Sequence, residues 1–198
     1  MYFKFKNELY NSIDVLMQGK IILYPTDTVW GIGCDAFNLN SIENIYRIKK
    51  RDKYKPMILL VDSINRLQNI VGPISDFIKK IVIYDCKKNK KPITVIYDKI
   101  YKSNVISKYS RVNWNNELAV RLTYDLFCIN LIKKLNRPII STSANLSGYV
   151  TPRSFSEINK RILKKVDYIV NLRRNEKSIF YESTILKIVS NKIKVIRK

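Results

Sequence analysis

The chain is predicted to fold as an α/β protein. Short β-branched apolar runs such as Ile21 to Tyr24, Met57 to Val61 and Pro138 to Ile140 have the length of buried strands rather than helices. Amphipathic stretches at helical spacing lie between these runs. Two of the runs also open into segments rich in hydroxyls and glycine, and in α/β proteins ligands bind outside such strand exits.

Taken in order, Asn7 to Met17 places Leu9, Ile13 and Leu16 on one helical face ahead of Gly19. Ile21-Ile22-Leu23-Tyr24 follows as a strand that Pro25 ends, because proline cannot donate to a ladder. Thr26-Asp27-Thr28, Val29-Trp30, Gly31 and Gly33 are expected to form a polar loop at that exit. Asn40 and Glu43 have capping-box spacing, Ile42, Ile45 and Tyr46 supply an apolar face, and Lys49-Lys50-Arg51 close that helix. After the strand Met57 to Val61, Asp62 or Ser63 caps a helix carrying Ile64, Leu67 and Ile70, which Gly72-Pro73 terminates.

Ser75 to about Tyr84 reads as a helix, followed by a polar loop to Pro92 and a strand from Ile93 to Tyr97. Asp98 to Asn116 is long, basic and rich in Ser and Asn, the composition and length of a lid or binding loop. Glu117 to Leu122 alternates as a strand with Arg121 in its middle, and Asp125 starts a helix that runs through Leu135. Pro138-Ile139-Ile140 ends in the second polar exit, Ser141-Thr142-Ser143-Ala144-Asn145-Leu146-Ser147-Gly148. Ser154 and Glu157 have capping-box spacing for a helix to Lys164, Tyr168 to Leu172 reads as a strand, and Arg173 to Phe180 as a loop. Ile185 to Val189 and Ile193 to Ile196 form a hairpin turning at Ser190-Asn191-Lys192. With no repeat or linker, residues 1–198 are read as one domain.

Composition narrows the function. A hydrophobic content of 46% is that of a globular chain, and 198 residues suffice for a sizeable core. No apolar run reaches membrane-span length and Met1-Tyr2-Phe3-Lys4 lacks the order of a signal peptide, so the expected compartment is the cytoplasm, with no membrane partner. Cys34, Cys86 and Cys128 are odd in number and far apart, which encodes neither a disulfide framework nor a metal-binding set. The chain has no histidine. That excludes Ser-His-Asp and Cys-His nucleophile pairs, H-E-x-x-H zinc chemistry and histidine bases, leaving catalysis by positioning and fixed charge. A net charge of +21 attracts polyanions such as RNA, nucleotides or acidic membranes, although the abundance of Lys beside Ile, Asn and Tyr also fits a biased genome composition.

Gly31-Ile32-Gly33-Cys34-Asp35-Ala36 matches the dinucleotide pattern G-x-G-x-x-A, but PTDTVW separates it from the preceding strand, so a nicotinamide or flavin site is not expected. The cations of Lys49-Lys50-Arg51 can converge on one anion as the helix frays into Asp52-Lys53-Tyr54-Lys55-Pro56, and phosphate suits them. Arg121 either points to solvent or recognises a carboxylate in a groove. The Ser141 to Gly148 exit suits an oxyanion or phosphate cradle. Together they suggest a nucleotide site, without a P-loop, since G-x-x-x-x-G-K-[ST] is absent.

The blocks YPTDTVWGIGCD, IKKRDKYKP, STSANLSG and YESTIL occur in an order and rough spacing that resembles the YrdC-like (TsaC-type) threonylcarbamoyl-AMP synthases over nearly the whole chain. The resemblance implies a mixed, twisted open sheet with flanking helices around a basic groove. It also implies the reaction of L-threonine, bicarbonate and ATP, with Mg²⁺, to threonylcarbamoyl-adenylate and pyrophosphate, feeding the threonylcarbamoyl modification of tRNA adenosine. By the same likeness, Lys49 and Arg51 form the K-x-R element and Ser143 and Asn145 the S-x-N element. These four carry catalysis and bind ATP with Lys55, Thr151 and Arg197, while Thr28, Arg121, Ser141 and Ser183 surround threonine.

No protein metal site is implied. Expected partners include tRNA or double-stranded RNA and proteins of the tRNA threonylcarbamoyl-transfer machinery. The chain departs from the family pattern at Lys90-Lys91-Pro92-Ile93-Thr94, where P-G-P is common, and at Leu60, where some members place a histidine against threonine. With no second domain after Arg197, closure is expected from the 98–116 loop. The alternatives are a non-catalytic RNA-binding domain of the same fold and, less favoured for a chain this short, a carbamoyl-transfer module like that of hydrogenase-maturation proteins.

Overall fold

A computed structural model describes residues 2–53, 55–84, 91–97, 117–180, 182–189 and 192–198. The expected 98–116 loop, Lys90 and most of the polar loop before Pro92 lie outside the described residues. The described strands form one nine-stranded sheet.

Helix α1, Tyr2–Met17, begins well before Asn7, because Phe5 adds an edge-on contact with Phe127 and extends the buried face. It is followed by β1 (Ile22–Tyr24), β2 (Gly31–Asp35), α2 (Leu39–Lys49), β3 (Ile58–Val61), α3 (Ile64–Val71), α4 (Asp76–Tyr84), β4 (Ile93–Tyr97) and β5 (Leu118–Leu122). Then come α5 (Leu126–Leu135), β6 (Ile139–Ser143), a 3₁₀ turn (Phe155–Glu157), the short α6 (Lys160–Leu163), β7 (Tyr168–Ile169), β8 (Thr184–Val189) and β9 (Lys192–Arg197). The spatial order is β7-β1-β2-β6-β3-β5-β4-β8-β9, with β1–β7, β3–β5 and β4–β8 parallel and the other pairs antiparallel. The expected mixed sheet is thus present.

Three expectations are corrected. Gly31 to Asp35 is not part of a loop but a fully buried strand between β1 and β6. Its glycines are there for space: a Cβ on Gly33 would lie 2.7 Å from the Ile140 carbonyl and 2.9 Å from the Tyr24 ring, so only glycine lets that ring lie across the strand. The strand read as ending at Ile140 continues through Ser143, since Thr142 and Ser143 pair with Ile32 and Gly31. Both capping boxes are also displaced. Asn38 rather than Asn40 caps α2, accepting from the Ser41 N–H at 3.0 Å. Ser154 makes no cap bond; Glu157 instead accepts from the Arg153 N–H at 2.8 Å, and α6 opens behind Asn159.

The two faces of the sheet differ. Leu59, Val61, Ile93, Val95, Leu118, Val120, Leu122 and Ile140 point into the larger core, covered by α2, α3 and α4 through Ile42, Ile45, Leu67, Ile70 and Ile78. On the opposite face, α1 and α5 cover the end near β1 with Leu9, Ile13, Phe127 and Leu131 packed on Ile22, Tyr24 and Ile139. Period-2 alternation sends the intervening residues of β3, β4, β5 and β6 to this second face. Beyond α1 and α5 they line a cavity.

Candidate functional site

The cavity encloses about 180 Å³ on the second face of the sheet rather than beyond its strand ends. Strand register builds its floor: Gly31 is opposite Ser143, Ile58 opposite Ser141, Leu60 beside Arg121, Ile96 opposite Ala119 and Thr94 beside Ile185. All of these line the cavity, as do Thr28, Arg51, Glu182, Ser183 and Arg197. The hydroxyls expected at two separate strand exits therefore converge because β2 and β6 are paired strands.

Arg121 is the buried cation of the floor. Its guanidinium forms an ion pair with Asp27, and its Nη1 donates to Thr28 Oγ1 at 3.0 Å. Asp27 also accepts from the Tyr124 N–H at 3.3 Å, which ties the β1 exit to the end of β5. Among the described residues the buried Arg121 Nε has no hydrogen-bond acceptor, and the Arg121 side chain lines the cavity. Around it stand hydroxyls already oriented by neighbours. Tyr24 donates to Ser141 Oγ at 2.6 Å, Thr26 and Thr28 share a hydrogen bond at 3.0 Å, and Thr94 and Ser183 share one at 2.7 Å. Burial pushes the Tyr24 phenol well above its ordinary range, so it remains a neutral donor.

Lys49 behaves differently from the expectation that it reaches an anion directly. Only 1% exposed, it donates to the Ser143 carbonyl, to the Asn145 carbonyl at 2.6 Å and to Asn145 Oδ1 at 3.2 Å. Its own carbonyl accepts from the Ser147 N–H at 2.8 Å. The ammonium is thereby turned onto the strand exit, and the S-x-N element is folded around it, with Ser143 Oγ donating to Asn145 Oδ1 at 2.6 Å. Burial pulls Lys49 down to about 7, with Arg51 adding to the fall and Glu182 opposing it.

Lys50 adopts a left-handed conformation that ends α2 and separates the directions of Lys49 and Arg51. Arg51 lines the cavity, anchored by Nε on the Lys55 carbonyl at 3.0 Å and by Nη2 on the Pro56 carbonyl at 2.9 Å. Lys55 itself is exposed; what it contributes is that carbonyl. Arg197 clamps the Ser183 carbonyl through Nε and Nη2, at 3.1 and 2.8 Å, and pairs with Glu182 through Nη1. Thr151 donates to the other Glu182 oxygen at 3.1 Å.

The structure thus gathers Thr28, Arg51, Arg121, Ser141, Ser143, Ser183 and Arg197 in the lining of one cavity, with Lys49, Asn145 and Thr151 bonded immediately behind it. Sequence reasoning missed Glu182, the one carboxylate among the described lining residues, and Asp27 as the partner of Arg121. Adjacency to Ser183 in YESTIL was the available signal for Glu182. Leu60 does line the cavity, as an apolar side chain. Among the described residues no group of three His, Cys, Asp or Glu could hold a metal ion, and no helix is long and apolar enough to cross a membrane.

Fold and site together define an α/β protein whose mixed sheet carries a basic, hydroxyl-lined cavity on one face. The Sua5/YciO/YrdC family model, described as telomere recombination, matches residues 14–198. The chain belongs to the Sua5/YciO/YrdC family. A Methanocaldococcus jannaschii relative is 32% identical over 184 residues, covering 92% of this chain and 81% of that protein. The threonylcarbamoyl-AMP synthase of Pseudoalteromonas translucida is 30% identical over 161 residues, 81% of this chain and 83% of that enzyme.

Two solved structures agree in fold. P. abyssi Sua5 complexed with L-threonine superimposes with a TM-score of 0.79 at 24% identity, covering 96% of this chain. The chain spans about half of that protein, 53%. E. coli YciO superimposes with a TM-score of 0.76 at 21% identity, covering 96% of this chain and 88% of its own.

Proposed function

We propose that this protein is an L-threonylcarbamoyladenylate synthase, a nucleotidyltransferase acting on L-threonine, bicarbonate and ATP. The observation that carries the reading is Arg121: a buried cation lining the cavity, set among Thr28, Ser141 and Ser183 in the same cavity as Arg51. A guanidinium lining the cavity suits an amino-acid carboxylate, and the surrounding hydroxyls suit a β-hydroxyl. Arg51, Ser143 and Arg197 then face the nucleotide phosphates, on a wall that Lys49, Asn145 and Thr151 hold in shape. Names borne by relatives sharing about a third of their residues support the same chemistry.

In this reading the threonine amine and bicarbonate give a carbamate and water. A carbamate oxygen attacks the α-phosphorus of ATP, forming the new P–O bond as the bond to pyrophosphate breaks. The carbamate is already anionic, so no strong base is required, which suits a chain without histidine. Arg51 holds the phosphates and meets the charge that develops on the leaving pyrophosphate. Mg²⁺ arriving with ATP would add charge neutralisation at the phosphates; the one carboxylate among the described lining residues, Glu182, is already held by Thr151 and Arg197.

Pyrophosphate release is expected to require threonine and bicarbonate together. It should fall by one or more orders of magnitude with 2-aminobutyrate, because a pocket built to hydrogen-bond a hydroxyl rejects the analogue lacking it. Equal release with threonine and 2-aminobutyrate would contradict the pocket assignment. The net charge of +21 supports tRNA as a polyanionic partner. Its affinity is expected to fall log-linearly with salt while turnover changes less, and undetectable tRNA binding at low salt would remove RNA from the account.

A further inference from the structure

Tyr24 has no exposed surface, yet its phenol ends directly beneath the cavity floor. Its ring lies across Gly33, where a Cβ would come within 2.9 Å of the ring and 3.1 Å of the phenol oxygen, and Phe127 stands beside it, so packing fixes the hydroxyl in place. Ser141 Oγ, 2.6 Å away, is the phenol's one hydrogen-bond partner among the described residues. Burial keeps the phenol protonated, so its proton goes to Ser141 or is left without an acceptor, and a buried donor left unmade is the costlier arrangement. Ser141 therefore accepts from Tyr24. Its own proton has no acceptor among the described residues, which leaves the cavity that Ser141 lines as the direction open to it.

Proton counting fixes Thr28 in the opposite sense. Thr26 donates its one hydroxyl proton to the Val29 carbonyl at 2.8 Å and accepts from the Thr28 N–H at 3.0 Å. In the 3.0 Å contact between the two threonine hydroxyls, Thr28 is therefore the donor. Thr28 Oγ1 also accepts from Arg121 Nη1 at 3.0 Å, which leaves it a lone pair but no proton for a ligand. The Thr26–Thr28 pair and Ser141 flank Gly31: a Cβ there would lie 3.2 Å from Ser141 Oγ and 3.3 Å from the Thr26 methyl.

We infer that Tyr24 is a positioning residue that sets the polarity of this pocket: acting through Ser141, it presents a proton on one side of the cavity while Thr28 presents a lone pair on the other. Resting on the threonine reading above, such a pair takes a group that donates and accepts at once. A hydroxyl does both. An ammonium on the same carbon can only donate, so it satisfies Thr28 but confronts the Ser141 proton. Without the phenol, Ser141 is free to turn either a proton or a lone pair into the cavity, and the distinction weakens.

Titration calorimetry with threonine and with 2,3-diaminobutyrate of matching configuration, without ATP, tests this role. Wild-type protein is expected to bind threonine about tenfold or more tightly than the diamine. Tyr24→Phe keeps the ring against Gly33 and removes only the phenol oxygen. Its preference for threonine should shrink by about fivefold or more, the range expected from one hydrogen bond. A phenol that served packing alone would weaken both ligands in proportion, so an unchanged ratio in Tyr24→Phe would overturn the assignment. Should that variant not fold, wild-type protein that binds the two ligands equally would overturn it as well. Wild-type protein that binds ATP but neither amino acid would overturn the threonine reading itself, a result distinct from an unchanged ratio.

Discussion

Arg51→Ala is expected to lower turnover by about 10²-fold or more, the loss typical when one preorganised donor to developing charge is removed. The guanidinium is held by the Lys55 and Pro56 carbonyls at 3.0 and 2.9 Å, so its position in the cavity is set before any ligand arrives. Lysine at this position keeps a charge but cannot reproduce the planar fork that spans both carbonyls. Arg51→Lys should therefore keep much of the ATP affinity and still lose turnover. An arginine serving only as an exposed helix-end charge would contribute a few tenths of a kcal/mol to stability and leave the kinetics nearly unchanged. Near-normal turnover in Arg51→Ala would remove Arg51 from the transition state.

The second large effect is expected at Arg121. Its removal leaves Asp27, largely buried, without its cation, and breaking a buried pair in this way costs about 3–5 kcal/mol. Arg121→Ala should shift the urea midpoint accordingly and abolish threonine binding. Asp27→Asn added to Arg121→Ala should recover part of the stability, because the stranded charge is gone, yet none of the threonine affinity. Recovery of both would assign the binding loss to misfolding rather than to the missing carboxylate partner. No recovery of stability would show that the pair does not sustain the fold in the way its burial indicates.

Much of this architecture was legible in the chain, for identifiable reasons. Leu9, Ile13 and Leu16, or Ile64, Leu67 and Ile70, repeat at helical spacing because each helix covers one face of the sheet. Ser63, Gly72 and Asp125 mark helix ends through local chemistry that needs no tertiary partner. What escaped was set by partners distant in sequence. Gly31 and Gly33 read as loop residues, and their strand exists because β1 and β6 pair with it on either side, with Tyr24 and Ser141 occupying the space a Cβ would fill. Ser141 to Ser143 read as the polar exit after a strand ending at Ile140, although β2 and β3 supply the ladder that extends β6 through them.

The same limit applies to the site. Residue types at Lys49, Arg51, Arg121 and Ser143 pointed to anions, and the family resemblance added Arg197, but spacing could not show that Lys49 turns inward onto two carbonyls. Nor could it show that the polar residues converge on a sheet face rather than at its end. That placement follows from alternation in β3, β4, β5 and β6 combined with a register only the folded sheet displays.

The most direct test of the central claim is a mass-spectrometric one. The protein is incubated with ATP, threonine and ¹³C-labelled bicarbonate, and the nucleotide products are resolved. The account predicts an AMP adduct containing both threonine and one labelled carbon, formed with pyrophosphate and absent when any of the three substrates is omitted. ATP bound without such an adduct, or an adduct lacking the label, would contradict it.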